Sequence, residues 1–437
     1  MLAQPPLRTI ISLAAPTTAV MLMAAGVNVL QTYFVSRLGD EAIAALALVF
    51  PIALVLFTVL SNGLAAGVSA AIARALGGGR THHARELAEQ ALTLTVLLAL
   101  AGTLLSELGC EAILRAMGGR GTVLAQAVGL GRILFGGLLI MLVVGTIDGI
   151  LRAGGNVRVA ALGAAISMIL QVAFTPLLMF RAGFGLNGAP LAMLGGQLVG
   201  LIPRAVCLFG GYAPLRPSLT LPRLRSQPTA EILRVALPAA LTGGLSYLGL
   251  IVLTGVLARY GDDYLAAYGL GTRLDFLIFS LGLGISTAAL TLVGMAAGAG
   301  RPELIERYVL QCSLLAVAVS APPALLVTWQ PSLWLGLFTD SADIHRIGAS
   351  YFRLVAPSYM FGCVSIVIAA AFQGLRRAAV PMTVIGVRAL CVIALALFLS
   401  RRFQVRADLI FALIGGGYIA ACAVLIYLFR AAMRARA

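Results

Sequence analysis

Lysine is absent from this 437-residue chain, so all 31 basic residues are arginine. Charged residues of either sign make up only 11% of it, against about 25% in soluble domains. Histidine occurs three times, as His82, His83 and His345, without metal-ligand spacing, so no metal site is expected. The six cysteines stand singly and form no C-x-x-C pair; they read as small buried hydrophobes, with only Cys110 clearly outside an apolar run. No G-x-S-x-G, P-loop or H-E-x-x-H is present, so no catalytic residue is expected, and hydrolytic and ATP-driven chemistry by this chain is excluded. A basic groove interleaved with aromatics is also missing. The net charge of +15 therefore does not point to nucleic acid.

What remains is apolar sequence: 60% hydrophobic residues and a mean hydropathy of +1.01. A soluble fold cannot bury that much apolar surface, so lipid must be the solvent for most of the chain. Helices and closed barrels are the two spanning structures that satisfy their own backbone. The runs here are continuous rather than alternating, which selects helices of about 20 residues or more. Twelve runs are expected to span: 9–36, 43–76, 87–108, 122–151, 159–180, 186–211, 230–258, 264–299, 304–329, 347–374, 379–400 and 407–430. The first is too long for a signal peptide.

Arginines concentrate at both termini and in the even-numbered loops, with Arg74 and Arg204 counted among them. Acids such as Asp40, Asp262, Asp263 and Asp340 gather at the odd loops. By the positive-inside rule both termini face the cytoplasm. The segment APLRPSLTLPRLRSQPT, 213–229, is rich in proline and arginine and reads as a cytoplasmic linker.

The halves on either side of it repeat. At an offset of 222, Pro16 meets Pro238, Arg37 meets Arg259, Gly39 meets Gly261 and Asp40 meets Asp262; at 221, Arg80 meets Arg301. The same shift sets RAGGNVRVA (152–160) against QGLRRAAVP (373–381), a weaker match. Six crossings restore the same side, so the halves are parallel repeats about an axis normal to the membrane, an arrangement common in secondary transporters. The expected fold is an all-α membrane protein of twelve transmembrane helices in two six-helix lobes, 1–212 and 230–437.

The stretches LAAPTTAVML, VLQTYFVSRLGDEAIAAL, RYGDDYLAAYGLGTRLD, VGMAAGAGR and GGNVR, in this order and duplication, resemble the multidrug and toxic compound extrusion (MATE) transporters over about residues 9–430. The resemblance implies a two-lobed exporter of cationic or amphipathic compounds that exchanges them for H⁺ or Na⁺, with no other cofactor. It also implies a place in a superfamily that includes lipid-linked oligosaccharide flippases.

The chain departs from that pattern where the family chemistry matters. Many bacterial members carry an Asp in the first helix where this chain has Gln31, and a Gly where it has Ser36. Many carry a second Asp in the fifth helix where this chain has Gln171. Some use acids in helices 7 and 10, but here span 7 holds only Glu231 at its start and span 10 holds Arg353. An amide binds but does not titrate near neutrality, so the usual first-lobe proton site is expected to be lost.

Ionisable residues inside spans are the default functional candidates. Asp275, in TRLDF of span 8, lies roughly 16 Å along its helix and is the leading one. Arg273 is two residues away and on another face. Gln31 and Gln171, both in the outer half of the first lobe, are expected to converge on one chamber, with Asn28 beside them. Tyr247 and Tyr359 offer ring faces to a lipophilic cation. Asp148 and Arg152, four residues apart, form a gate or structural ion pair. Pro16, Pro238 and Pro357 are hinge candidates. Arg132, Arg273, Arg353 and Arg388 are the arginines within spans.

The expected function is export of cationic or amphipathic small molecules across the bacterial inner membrane, by a monomer that alternates between two V-shaped states. The alternative is a flippase or exporter of a lipid-linked precursor or dedicated metabolite.

Overall fold

The computed structural model describes residues 6–117, 120–218, 222–402 and 407–435. Among these, twelve helical segments are long and apolar enough to cross a membrane. In chain order they are Leu7–Val35, Val59–Gly77, Thr81–Ala116, Gly121–Ala153, Val157–Arg181, Gly185–Phe209, Ser226–Tyr260, Asp262–Gly298, Pro302–Trp329, Ala342–Gly374, Ala379–Leu399 and Ala407–Arg434. Each falls on one of the runs read from the sequence, and they are numbered here as the first to twelfth spans.

Helix interruptions have local causes. The second span follows helix Asp40–Leu54 and begins inside a wider π turn, Val55–Asn62. The tenth is broken by a 3₁₀ turn, Ala356–Ser358, because Pro357 has no N–H to give the helix ladder. Pro16 and Pro238 lie inside continuous helices of the first and seventh spans. Cys110, expected outside an apolar run, is buried within the helix Thr81–Ala116, which runs on past the apolar stretch; Cys391 is the exposed cysteine.

The repeat is written into the turns. Gly39 and Gly261, its partner, have φ of 99° and 117°; Gly79 and Gly300 have 71° and 67°. In these positions a side chain would strain the backbone. Gly155 (φ 86°) has Arg376 (φ 62°) as its partner in the weakly matching loops, and among the described residues Arg376 is the one non-glycine with positive φ. Backbone geometry is thus retained where the side chain is not.

Packing groups the chain into two compact units, Leu22–Ala240, and Met1–Met21 with Leu241–Ala437. The boundaries differ from the division by sequence repeat. They fall inside the first and seventh spans, shortly after Pro16 and Pro238, so each half lends the start of its first helix to the other unit. Small residues explain why. A Cβ on Gly63 would lie 2.6 Å from Ala240 Cβ, and one on Gly67 would lie 2.7 Å from Ala236 Cβ. Two helices with small residues four apart can approach to backbone contact. In the other unit Gly284 packs on Thr18, whose Cα an added Cβ would meet at 2.9 Å. Gly63 and Gly284 are 221 apart, and Thr18 and Ala240 are 222 apart, so the same contact is built twice.

On either side of 219–221, the segment 213–229 is tied down within Leu22–Ala240 at Ser218, Arg223 and Arg225. Gln90, 1% exposed, donates to the Arg223 carbonyl at 3.0 Å and accepts from the Arg225 N–H at 3.0 Å. Glu89 accepts from the Ser218 N–H at 2.8 Å. Arg74, counted as a loop arginine in the sequence, is instead buried in helix Gly63–Gly77, 3.7 Å from Glu231.

Candidate functional site

Asp275 lies in the eighth span, and two tyrosines of the tenth span close on it. Tyr351 donates a hydrogen bond to Oδ2 at 2.7 Å, and Tyr359 donates to Oδ1. Tyr351 ends up on helix Ala342–Val355 and Tyr359 on helix Tyr359–Gly374, so the turn at Pro357 separates them. Both rings are fully buried. Gly271 lies one turn before Asp275 on the same face. A Cβ there would clash with one edge of the Tyr351 ring, 2.6 Å from Cδ1, so its missing side chain is the space through which the tyrosine reaches the carboxylate. Around this core Tyr268 meets Tyr351 edge-on at 5.8 Å, Phe411 meets it at 5.2 Å, and Phe279 meets Tyr359 at 5.8 Å.

The carboxylate opens on a narrow cavity of about 80 Å³, whose walls include Tyr268, Tyr418, Arg388 and Ser246. That volume admits a few waters. It is far below the roughly 300 Å³ or more that a drug-sized ligand fills. Chemically the site can therefore hold or release a proton, or take a small ion, without enclosing a substrate. The Arg388 guanidinium carbon lies 4.4 Å from the Tyr418 ring centroid, a cation–π distance.

Several sequence-derived candidates fall elsewhere. Tyr359 meets Asp275 through its hydroxyl, whereas a ring-face role had been expected of it. Arg273 is exposed, with its guanidinium 5.9 Å from the Phe338 ring centroid, and is not in the wall of the Asp275 cavity. Two residues on a helix turn by about 200°, which puts its side chain on the other face. Ser246 lines the cavity, and Tyr247 beside it does not. Gln31 is half-buried and Gln171 is 7% exposed, on the first and fifth spans; no hydrogen bond joins the two side chains. Asn28 is exposed and donates to the Ala24 carbonyl at 2.9 Å.

Asp148 is paired, but chiefly with a residue other than the one expected. Arg204 Nε and Nη2 reach its two oxygens at 2.7 and 3.3 Å, while Arg152 Nη2 stands at 4.0 Å. Arg204, counted as a loop residue in the sequence, is 1% exposed inside helix Gly188–Phe209 and also donates to the Gly200 carbonyl at 2.8 Å. Gly163 makes room for it: a Cβ there would sit 2.8 Å from Nη1. A planar fork from a neighbouring helix satisfies both carboxylate oxygens, which an arginine one turn along the same helix does not do here. The pair ties the fourth span to the sixth.

Sequence reasoning missed Tyr351 and Arg204. Two tyrosines straddling a proline inside one span was the available signal for the first. For the second, a lone arginine within an apolar run was the signal.

The MatE family model matches this chain twice, at residues 16–177 and again at 238–398. The chain belongs to the MATE family. It is accordingly a multi-pass membrane transporter of small molecules and not an enzyme. The double match also coincides with the repeat. This MATE protein is 27% identical to the FAD transporter of Shewanella oneidensis, over 71% of its own length and 69% of that protein's. It is 26% identical to the multidrug resistance protein NorM of Burkholderia vietnamiensis, over 85% and 82%. In fold it matches a MOP superfamily transporter from Pyrococcus furiosus, described as having a binding pocket of reverse polarity, with a TM-score of 0.93 at 24% identity, over 100% and 97% of the two chains.

Proposed function

We propose that this MATE transporter exports amphipathic small molecules from the cytoplasm in exchange for protons, with Asp275 as the coupling group. The observation that carries the reading is the double tyrosine clasp on a half-buried carboxylate beside a cavity sized for water. Both hydroxyls donate to the carboxylate. When a proton arrives, one oxygen becomes a donor itself and a weaker acceptor, so the tyrosine facing it loses much of its hold or turns to accept instead. The two tyrosines stand on either side of Pro357, so protonation changes the hold on one arm of the tenth span relative to the other. That gives a proton leverage over helix packing, which alternating access requires.

The donor set favours a proton over sodium. A sodium ion needs several oxygen ligands, but Asp275 is already engaged by two hydroxyl donors, and Arg388 adds positive charge to the same wall. The arginine pattern supports an inner-membrane orientation with both termini in the cytoplasm. The chain acts as a monomer in this reading.

A second reading, export of an anionic metabolite, draws on Arg388 in the cavity wall and on the amides Gln31 and Gln171 in place of acids. Both are tested in proteoliposomes under an imposed ΔpH or ΔpNa, with ethidium and FAD as cargo. Ethidium flux driven by ΔpH and lost in Asp275→Asn supports the first. FAD flux without ethidium flux supports the second, and flux driven by ΔpNa alone removes the proton.

A further inference from the structure

A cluster of charge stands where the seventh span meets the 213–229 segment, within the unit Leu22–Ala240. His83 lies between two carboxylates. Its Nε2 is 3.1 Å from Oε2 of Glu231 on the seventh span, and its Nδ1 is 3.5 Å from Oε2 of Glu86 on its own helix. Each carboxylate also faces an arginine. Arg74 of the second span stands 3.7 Å from Glu231, and Arg225 stands 2.8 Å from Glu86. The side chains of His83 and Glu231 are 25% and 11% exposed. His82 beside them is exposed, and Arg85 is taken up by Glu89.

The packing beneath this cluster is built twice, and the cluster once. Gly63 against Ala240 has its twin in Gly284 against Thr18. Carried over by the repeat offsets of 221 and 222, Arg74, His83 and Glu231 fall on Met295, Leu304 and Thr9. The twin joint closes with apolar and hydroxyl side chains at those places. The charges are therefore an addition to a joint whose small-residue packing does not require them.

Carboxylates only accept hydrogen bonds, and a neutral imidazole has one N–H to give. Neutral, His83 can bond one of its two carboxylates and turns a lone pair on the other. Protonated, it donates to both and adds an opposite charge. Histidine is the side chain that makes this change near neutral pH. We propose that His83 is a proton-operated latch, closed by acid, that fastens the start of the seventh span to the third. Glu231 lies two turns before Pro238, so the latch sets the hold on the helix just ahead of the unit boundary at Ala240. The proton it answers to is that of the compartment holding 213–229. The assignment does not depend on coupling at Asp275.

The test is hydrogen–deuterium exchange of the full-length protein in nanodiscs at pH 6 and pH 8, corrected for intrinsic exchange. Peptides covering 228–240 report the latch, and peptides covering 8–21, from the twin joint, serve as the reference. Protection of 228–240 relative to 8–21 is expected to rise about fivefold at pH 6, the scale of one partly exposed ion pair. His83→Gln should remove the rise, and so should Glu231→Gln. His83→Arg, which carries a charge at both pH values, should keep the protection high throughout. Protection that does not change between pH 6 and pH 8 in the unmodified protein overturns the proposal. So does a rise of the same size in His83→Gln.

Discussion

The Tyr351 hydroxyl stands 2.7 Å from Asp275 Oδ2, 76 residues along the chain and on a different span. With Tyr359 on the other oxygen, the three side chains form one unit, and their mutational effects should not add. Tyr351→Phe is expected to lower ΔpH-driven efflux about tenfold. In the Asp275→Asn background the same change should do almost nothing. Initial rates in proteoliposomes for the two single variants and the double variant complete the cycle; full additivity would show that the clasp does not act through Asp275.

The Asp148–Arg204 pair predicts a large asymmetry. Arg204→Gln leaves a buried carboxylate without its partner, which costs about 3–5 kcal/mol. Arg152→Gln, at the longer distance, should cost about 1 kcal/mol or less. Thermal melts of the purified variants in detergent read this directly, and Asp148→Asn combined with Arg204→Gln should recover part of the loss.

Gly271 and Gly269 share a helix but not a fate. Gly271→Ala drives a methyl into the Tyr351 ring, an overpacking cost of about 1–3 kcal/mol. Gly269→Ala meets open space and should stabilise by about 0.5–1 kcal/mol through helix propensity. Equal melting temperatures for the two would contradict the packing described.

The linker supplies a topological test. Gln90 holds the backbone at Arg223 and Arg225, so Gln90→Ala should speed trypsin cleavage there several-fold. Cleavage is expected in inside-out vesicles and not in intact spheroplasts, since the segment is proposed to be cytoplasmic.

Spans, repeat and the place of Asp275 inside the eighth span were legible in the sequence because each depends on local signals: apolar run length, duplicated turns, and a charge where lipid penalises one. The partners of those charges were not. Tyr351 and Arg204 reach their carboxylates across helix–helix contacts, which hydropathy does not encode. The i, i+4 spacing of Asp148 and Arg152 is a real proximity, outcompeted by a bidentate fork from the sixth span. The two-residue spacing of Arg273 and Asp275 did correctly separate them, because helix phase alone decides that question.

The paired contacts Gly63–Ala240 and Gly284–Thr18 have a consequence for the chain as a polypeptide. Cutting it within 213–229 would leave each fragment without the piece of helix that completes its own packing unit, so neither product is a self-sufficient domain. Expressed alone, each fragment should be degraded; expressed together, each supplies the other's missing segment. The duplicated sequence thus codes for two halves that are obliged to fold in each other's company.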